Sequence, residues 1–418
     1  MTFDRGLVLA LGVAAVSGAC AAGSAGGTAA VKPSASGLPQ VTCNGTAPAV
    51  TTFATSAQGA LTRTLIPGMR PEVSAPLYQQ ALAQAQQGMA ADAANPLYPF
   101  LAGEAQVGLH QLNEADQQFT KALQLCPGLE EEVVNARKGA YSAAFNAGVG
   151  SLQANDTAAA MASFTRATTI YNRVPDAYFN LGVLYAQTGD VAHSVQFYRE
   201  ALASLGRAEP DTSAAGRATA AETRANSIVG LIGAGGQYFQ KENYPAAVDV
   251  FRTVTQLDPN SRDAWYNLGL ALYKQSRWAD LVPVAQRIVR IDPLNYNGQI
   301  ILFNAYKGMA DAAGSSRNDP NRQNALNTLA AADAMPVQVE GITVSNAAGS
   351  ARISGTVVGA KAPTGRPVTL EFTLYGAGGR MGTQTVTVNA PAKDAKAPFE
   401  LTIPATSAAT SFSYRLVP

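Results

Sequence analysis

The chain is 418 residues long, carries a formal net charge of +1, and is 14% charged and 47% apolar. That length accommodates two or three domains with a large buried core. So thin and balanced a charge argues against nucleic acid or an anionic membrane surface as the main partner, since both require clustered Lys and Arg.

The first segment is short and basic at Arg5, then uninterruptedly apolar from Gly6 to Val16. Ser17-Gly18-Ala19 supplies small residues before Cys20. This is the layout of an export signal, and the apolar run is shorter than the roughly 20 residues a membrane span needs. Ser17-Gly18-Ala19-Cys20 resembles the lipobox of bacterial lipoproteins, with Ser17 where Leu is usual. The resemblance implies that Cys20 becomes a lipidated first residue, anchoring the protein in the envelope as a periplasmic, outer-membrane lipoprotein. Ordinary cleavage around Ala19-Cys20-Ala21 is the alternative. Residues 1–20 are assigned to the signal. Residues 21–70 are assigned to a flexible tether, because the stretch to about Ala54 is mostly Gly, Ser, Ala, Thr and Pro. An oxidising compartment permits a disulfide between Cys43 and Cys126. Spacing leaves open both that pairing and two separate thiols.

Leu77 to Met89 predicts a helix that ends near Asn95-Pro96 and caps a helical array. A pattern with a period of about 34 residues then begins. Its blocks are Pro96 to Leu129, Tyr141 to Val174, Pro175 to Ala208, Ile228 to Ser261 and Arg262 to Asn295, with a degenerate sixth from Tyr296 to Pro336. The eighth position is Gly103, Gly148, Gly182, Gly235 and Gly269. The twenty-fourth is Phe119, Phe164, Tyr198 and Phe251, and departs at Ala285. Pro127, Pro259 and Pro293 close three of the blocks, where Pro stops a helix. This register resembles tetratricopeptide repeats, which implies an α-solenoid of helix pairs over residues 71–335. Glu130 to Ala140 reads as a lengthened link, its Glu130-Glu131-Glu132 as a solvated helix start. Glu209 to Ser227 reads as a loop followed by a helix extension.

In the resembled family, first helices line a concave groove through positions 2, 5, 9, 12 and 13. Carried over, these positions give Asp176, Phe179 and Val183 in the third repeat and Ile232 and Phe239 in the fourth. The fifth gives Asp263, Tyr266, Leu270, Tyr273 and Lys274. The Lys and Asn with which some relatives clamp a peptide carboxylate are missing. An apolar, aromatic-edged channel remains, fit either for a partner segment or for another part of this chain.

After Pro336 the period changes from helix to strand. Short alternating runs begin at Val337, Ile353, Val368, Val386, Phe399 and Phe412, split by Gly, Pro and Asn. They predict a small all-β, Ig-like sandwich over residues 336–418. Phe372-Thr373-Leu374-Tyr375, with Gly376 where Asp is usual, resembles the FxLyD sandwich, which implies a non-catalytic accessory domain with this segment as central strand.

Motifs for chemistry are missing. His110 and His193 are the two histidines, and both fall near inter-helix turns of the repeats. No phosphate loop, paired Cys-x-x-Cys or His-Glu-x-x-His occurs. Gly230 to Gly236 mimics a dinucleotide loop, but no strand precedes it and Gly235 is in repeat register. The expectation is a multidomain α + β protein, not an enzyme, without cofactor, metal or small-molecule substrate. Its role would be a protein-binding scaffold. The rival role is a structural component of an envelope complex that docks through the sandwich.

Overall fold

Thr51 starts the first helix by accepting the Ala54 amide on its hydroxyl at 3.3 Å, and Ala54, Ala57, Ala60 and Leu61 are wholly buried on one face. In this computed structural model, which describes residues 37–207, 213–314, 319–347, 349–376, 379–405 and 409–417, α1 spans Thr52–Arg63 and packs on α2, Pro71–Ala91. The expected tether over 21–70 therefore contains a helix. Its core face is alanine, which composition alone cannot tell from a small-residue linker. The signal segment, Cys20 and residues 21–36 lie outside the described residues. Among the described residues no helix is long and apolar enough to cross a membrane.

The five good repeats become the pairs α3 (Leu97–Gly108) with α4 (Leu112–Leu125), α5 (Glu130–Gln153) with α6 (Thr157–Ile170), and α7 (Pro175–Gln187) with α8 (Val191–Arg207). They continue as α9 (Ala214–Gln240) with α10 (Tyr244–Leu257) and α11 (Arg262–Lys274) with α12 (Trp278–Ile291). The degenerate sixth is α13 (Tyr296–Ala312) with α14 (Pro320–Asp333). The stretch from Glu130 to Ala140, expected as a link, is instead the first part of the 24-residue helix α5.

The described residues divide into two compact units, one of 37–184 with 203–207, the other of 185–202 with 213–417. In the first, Cys43 and Cys126 form a disulfide with a Cα–Cα distance of 5.0 Å.

The repeat register has a steric cause. The eighth-position glycine lies beneath the twenty-fourth-position aromatic of its own repeat. A Cβ on Gly103 would sit 2.6 Å from Phe119, one on Gly148 2.7 Å from Phe164, and one on Gly235 2.6 Å from Phe251. All three rings are fully or almost fully buried. Gly235 and Gly230, whose Cβ would meet Tyr198, are thus packing residues of α9.

A second periodicity is conformational. The residue ending each first helix is left-handed: His110 (φ 60), Asn155 (58), Gly189 (79), Glu242 (57) and Ser276 (53). In each case the next amide reaches back five residues, as Asn243 N–H does to the Tyr238 carbonyl at 2.9 Å, the pattern of a helix ended by a left-handed residue. Only glycine adopts that conformation without a Cβ penalty. Glu242→Gly is therefore expected to stabilise by about 0.5–1 kcal/mol, the left-handed strain of roughly 1–2 kcal/mol less the entropic cost of glycine. A thermal midpoint that falls in this variant would reject the strain argument.

In the second unit the six strands are β1 (Val337–Ala347), β2 (Ser350–Gly359), β3 (Pro367–Gly376), β4 (Gly379–Asn389), β5 (Lys396–Pro404) and β6 (Ala409–Val417). They form two antiparallel sheets, ordered β1-β2-β5 and β4-β3-β6. Alternation decides their facing: Val368, Leu370, Phe372 and Leu374 of β3 all point into one core. Phe372 lies centrally there, stacked on Tyr414 at 5.1 Å and tilted against Phe399 at 5.5 Å.

The sheets close onto the helices of the same unit through Asp258 and Asp292, which end α10 and α12 at equivalent repeat positions. Ser411 donates to Asp258 at 3.1 Å, and Tyr414 donates to Asp292 at 2.6 Å. Leu294 joins the sheet core, and its carbonyl accepts from the Val339 amide at 2.9 Å.

Candidate partner-binding groove

An apolar recess of about 600 Å³ lies in the first unit, between α2, α3 and α5. Helix periodicity builds each wall. From α3 come Phe100, Glu104, Val107 and Gly108, which recur every three or four residues and so share one face. These are concave positions 5, 9, 12 and 13 of the first repeat. The α5 wall is Ala136, Ala140, Ala143, Ala144 and Ala147, again one helical face. Ser74, Ala75 and Tyr78 of α2 form the third side. Tyr78 can lie flat on α3 because the facing residue is Gly108, where a Cβ would come within 2.2 Å of the ring.

Polar groups are few and placed at the margins. Glu132, in the first turn of α5, turns its carboxylate inward. Glu104 is buried in the α3 wall. Arg166 reaches the rim from α6 and donates to the Ser163 hydroxyl at 3.0 Å. His110, at the turn after α3, is exposed. The arrangement suits burial of apolar side chains, with two carboxyls for orientation.

Sequence reasoning placed the groove in later repeats. In the first unit, Asp176, Phe179 and Val183 lie half-buried along α7. Burial raises the Asp176 carboxyl pKa above its ordinary value, partly offset by a backbone amide. In the second unit, Ile232, Phe239, Tyr266 and Tyr273 pack together against the core of α10 to α13. Phe239 meets Tyr244 edge-on at 5.2 Å, and Tyr273 meets Trp278 at 5.4 Å. Leu270 is half-buried, whereas Asp263 and Lys274 are exposed.

Tyr266 is committed internally. Its hydroxyl donates to Asp292 at 3.2 Å, and Arg262 stacks 4.6 Å from its ring centroid while donating to the same carboxylate at 2.6 Å. Burial, with the adjacent Asp292 carboxylate, raises the phenol pKa of both Tyr266 and Tyr414 well above the ordinary value. Burial works against the Arg262 charge, but Asp292, Tyr266 and Asp263 together outweigh it and raise its pKa. Both phenols donate to Asp292, and the Tyr414 oxygen also accepts from the Leu294 amide at 3.3 Å. They serve the joint between helices and sheets.

The signal for the α2–α3–α5 groove was present in the register, since the same positions applied to the first repeat yield Phe100, Glu104, Val107 and Gly108. The α2 wall and Ala136 and Ala140 of α5 lie outside any repeat block, and Ala143, Ala144 and Ala147 fall at repeat positions 3, 4 and 7, which are not concave positions, so these walls carry no such signal.

Family models agree with the repeat register. A tetratricopeptide repeat model matches residues 145–211, and a TPR repeat model matches 235–276. No curated protein matches the chain significantly. Among solved structures, "MamA AMB-1 C2221" is 17% identical, covers 46% of this chain and 96% of its own, and gives a TM-score of 0.27. "Crystal structure of MamA protein" is 14% identical, with 46% and 89% covered and a TM-score of 0.29. "MamA 41-end from Desulfovibrio magneticus RS-1" is 16% identical, with 46% and 94% covered and a TM-score of 0.27. With repeats matched on two stretches and helix pairs in the expected register, the chain carries a helical tetratricopeptide-repeat region followed by a C-terminal six-stranded β region in two antiparallel sheets.

Proposed function

We propose that the protein is an exported, lipid-anchored scaffold of a bacterial envelope that holds a segment of a partner protein in the groove between α2, α3 and α5. Tetratricopeptide repeats imply a protein-binding scaffold, and the matching family models are repeat models with no catalytic family among them. The observation that carries the proposal is the recess of about 600 Å³, walled by Phe100, Val107, Tyr78 and the alanine face of α5. An apolar surface of this kind is stabilised by covering it. The lipobox-like Ser17-Gly18-Ala19-Cys20 supports the anchor, with Cys20 as the lipidated residue. The FxLyD-like sandwich acts as an accessory domain. Docking of an envelope complex through that sandwich would have to use a surface other than the β6 residues Ser411 and Tyr414, which are engaged by Asp258 and Asp292.

Ala143 is exposed in the groove wall, so Ala143→Trp fills the recess without entering the core. Capture from detergent-solubilised envelopes, compared between wild type and Ala143→Trp, is expected to lose the groove partner. An unchanged set of captured proteins would reject the groove. Separately, Cys20→Ser is expected to abolish lipid labelling and release the protein from membranes, and retention in the membrane fraction would reject the anchor.

A further inference from the structure

Glu130, Glu131 and Glu132 open α5, and the first two are solvent-exposed. Glu132 differs. It lines the recess, and its Oε2 is buried without a hydrogen-bond partner among the described residues. A buried carboxylate oxygen with nothing to accept from is costly, although the α5 N-terminus favours its charge. Arg137 of the same helix and Arg166 at the rim of the recess are engaged elsewhere. Arg137 donates to Asp116 at 2.6 Å and to Thr120, and Arg166 donates to Ser163. Glu104 adds a second carboxyl to the same recess. Around them the walls are alanine, Val107 and Tyr78, which suits the aliphatic stem of a long basic side chain.

We propose that the groove takes a partner-protein segment in which one Lys or Arg, flanked by apolar residues, enters the recess and pairs with Glu132. This rests on the groove being the partner site and adds the chemistry of the partner. The apolar flanks supply burial, and the cation supplies register and selectivity, as a charge-assisted hydrogen bond to a desolvated carboxylate does.

The test uses random twelve-residue peptides selected on the full chain, followed by anisotropy titration of the tightest one. Recovered peptides are expected to share a Lys or Arg between apolar residues. Glu132→Gln, which keeps the size of the side chain, is expected to weaken binding about tenfold. Replacing the peptide's basic residue by Gln should give a similar loss, and the two losses should not add. Peptides without a basic residue, or affinity unmoved by Glu132→Gln, overturn the proposal. If Ala143→Trp displaces such indifferent peptides, the groove reading survives and the charge pairing fails. If no peptide is recovered, or Ala143→Trp displaces none, both fail. Binding seen only after removal of residues 1–36 would put this chain's own segment in the groove and would likewise overturn the proposal.

Discussion

Asp292→Ala is expected to destabilise the second unit by about 3–5 kcal/mol, the range for removing one partner of a buried ion pair. Asp292 is fully buried, and its two oxygens accept from Arg262, Tyr266 and Tyr414. Truncation leaves a largely buried guanidinium and two buried hydroxyls without their acceptor. It also cuts one of the bonds holding β6 to the end of α12. Both tryptophans of the chain, Trp265 and Trp278, lie in this unit, so their emission in a urea titration follows its unfolding alone. Asp292→Asn keeps the shape and loses the charge, and Tyr414→Phe removes the hydroxyl that donates to Asp292 and accepts from the Leu294 amide, at a cost of about 1–2 kcal/mol. The double variant should show coupling, since the two groups are in direct contact. An Asp292→Ala midpoint within experimental error of wild type would mean that the cluster is not holding the unit together.

The second large effect is a contrast between two glycines at the same repeat position. Gly235→Ala should destabilise by about 1–3 kcal/mol, the range for overpacking a filled core. The new methyl would fall 2.6 Å from Phe251, whose buried ring has no free volume to retreat into. Gly269→Ala should lie near neutrality. The aromatic of the other repeats is Ala285 here, and the nearest atom is the Ile288 Cδ1 at 3.2 Å, the mobile end of a side chain. Alanine also gains up to about 1 kcal/mol of helix propensity over glycine. The same urea titration reads both variants, because both positions are in the unit that holds the tryptophans. Equal losses at the two sites would show that the position, rather than the ring above it, sets the requirement for glycine.

Much of the helical register was legible in the sequence. The glycine at the eighth position and the aromatic at the twenty-fourth recur because they touch, and contact inside one hairpin is local enough to print a period on the chain. The six strands were legible for a similar reason: a sheet face with one buried side forces alternation in runs such as Val368-Leu370-Phe372-Leu374. By contrast, α1 was hidden. Its buried face is Ala54, Ala57 and Ala60, and alanine is as common in linkers as in tight helix contacts.

The groove shows the same division. Phe100, Glu104, Val107 and Gly108 follow from the repeat register, but Tyr78 and the alanines of α5 converge on them only through packing. Tyr266 makes the reverse case. Its repeat position marks it as a groove residue, yet Asp292 and Tyr414 engage it within its own unit. Residues 26 positions apart, and others 122 apart, meet in that cluster. Periodicity within the sequence thus determined most of the repeat helices and the strands, since those depend on neighbours a few residues away. Which buried faces meet, and which concave side chains are consumed in doing so, was decided only by the tertiary structure, because those pairings join segments that share no period.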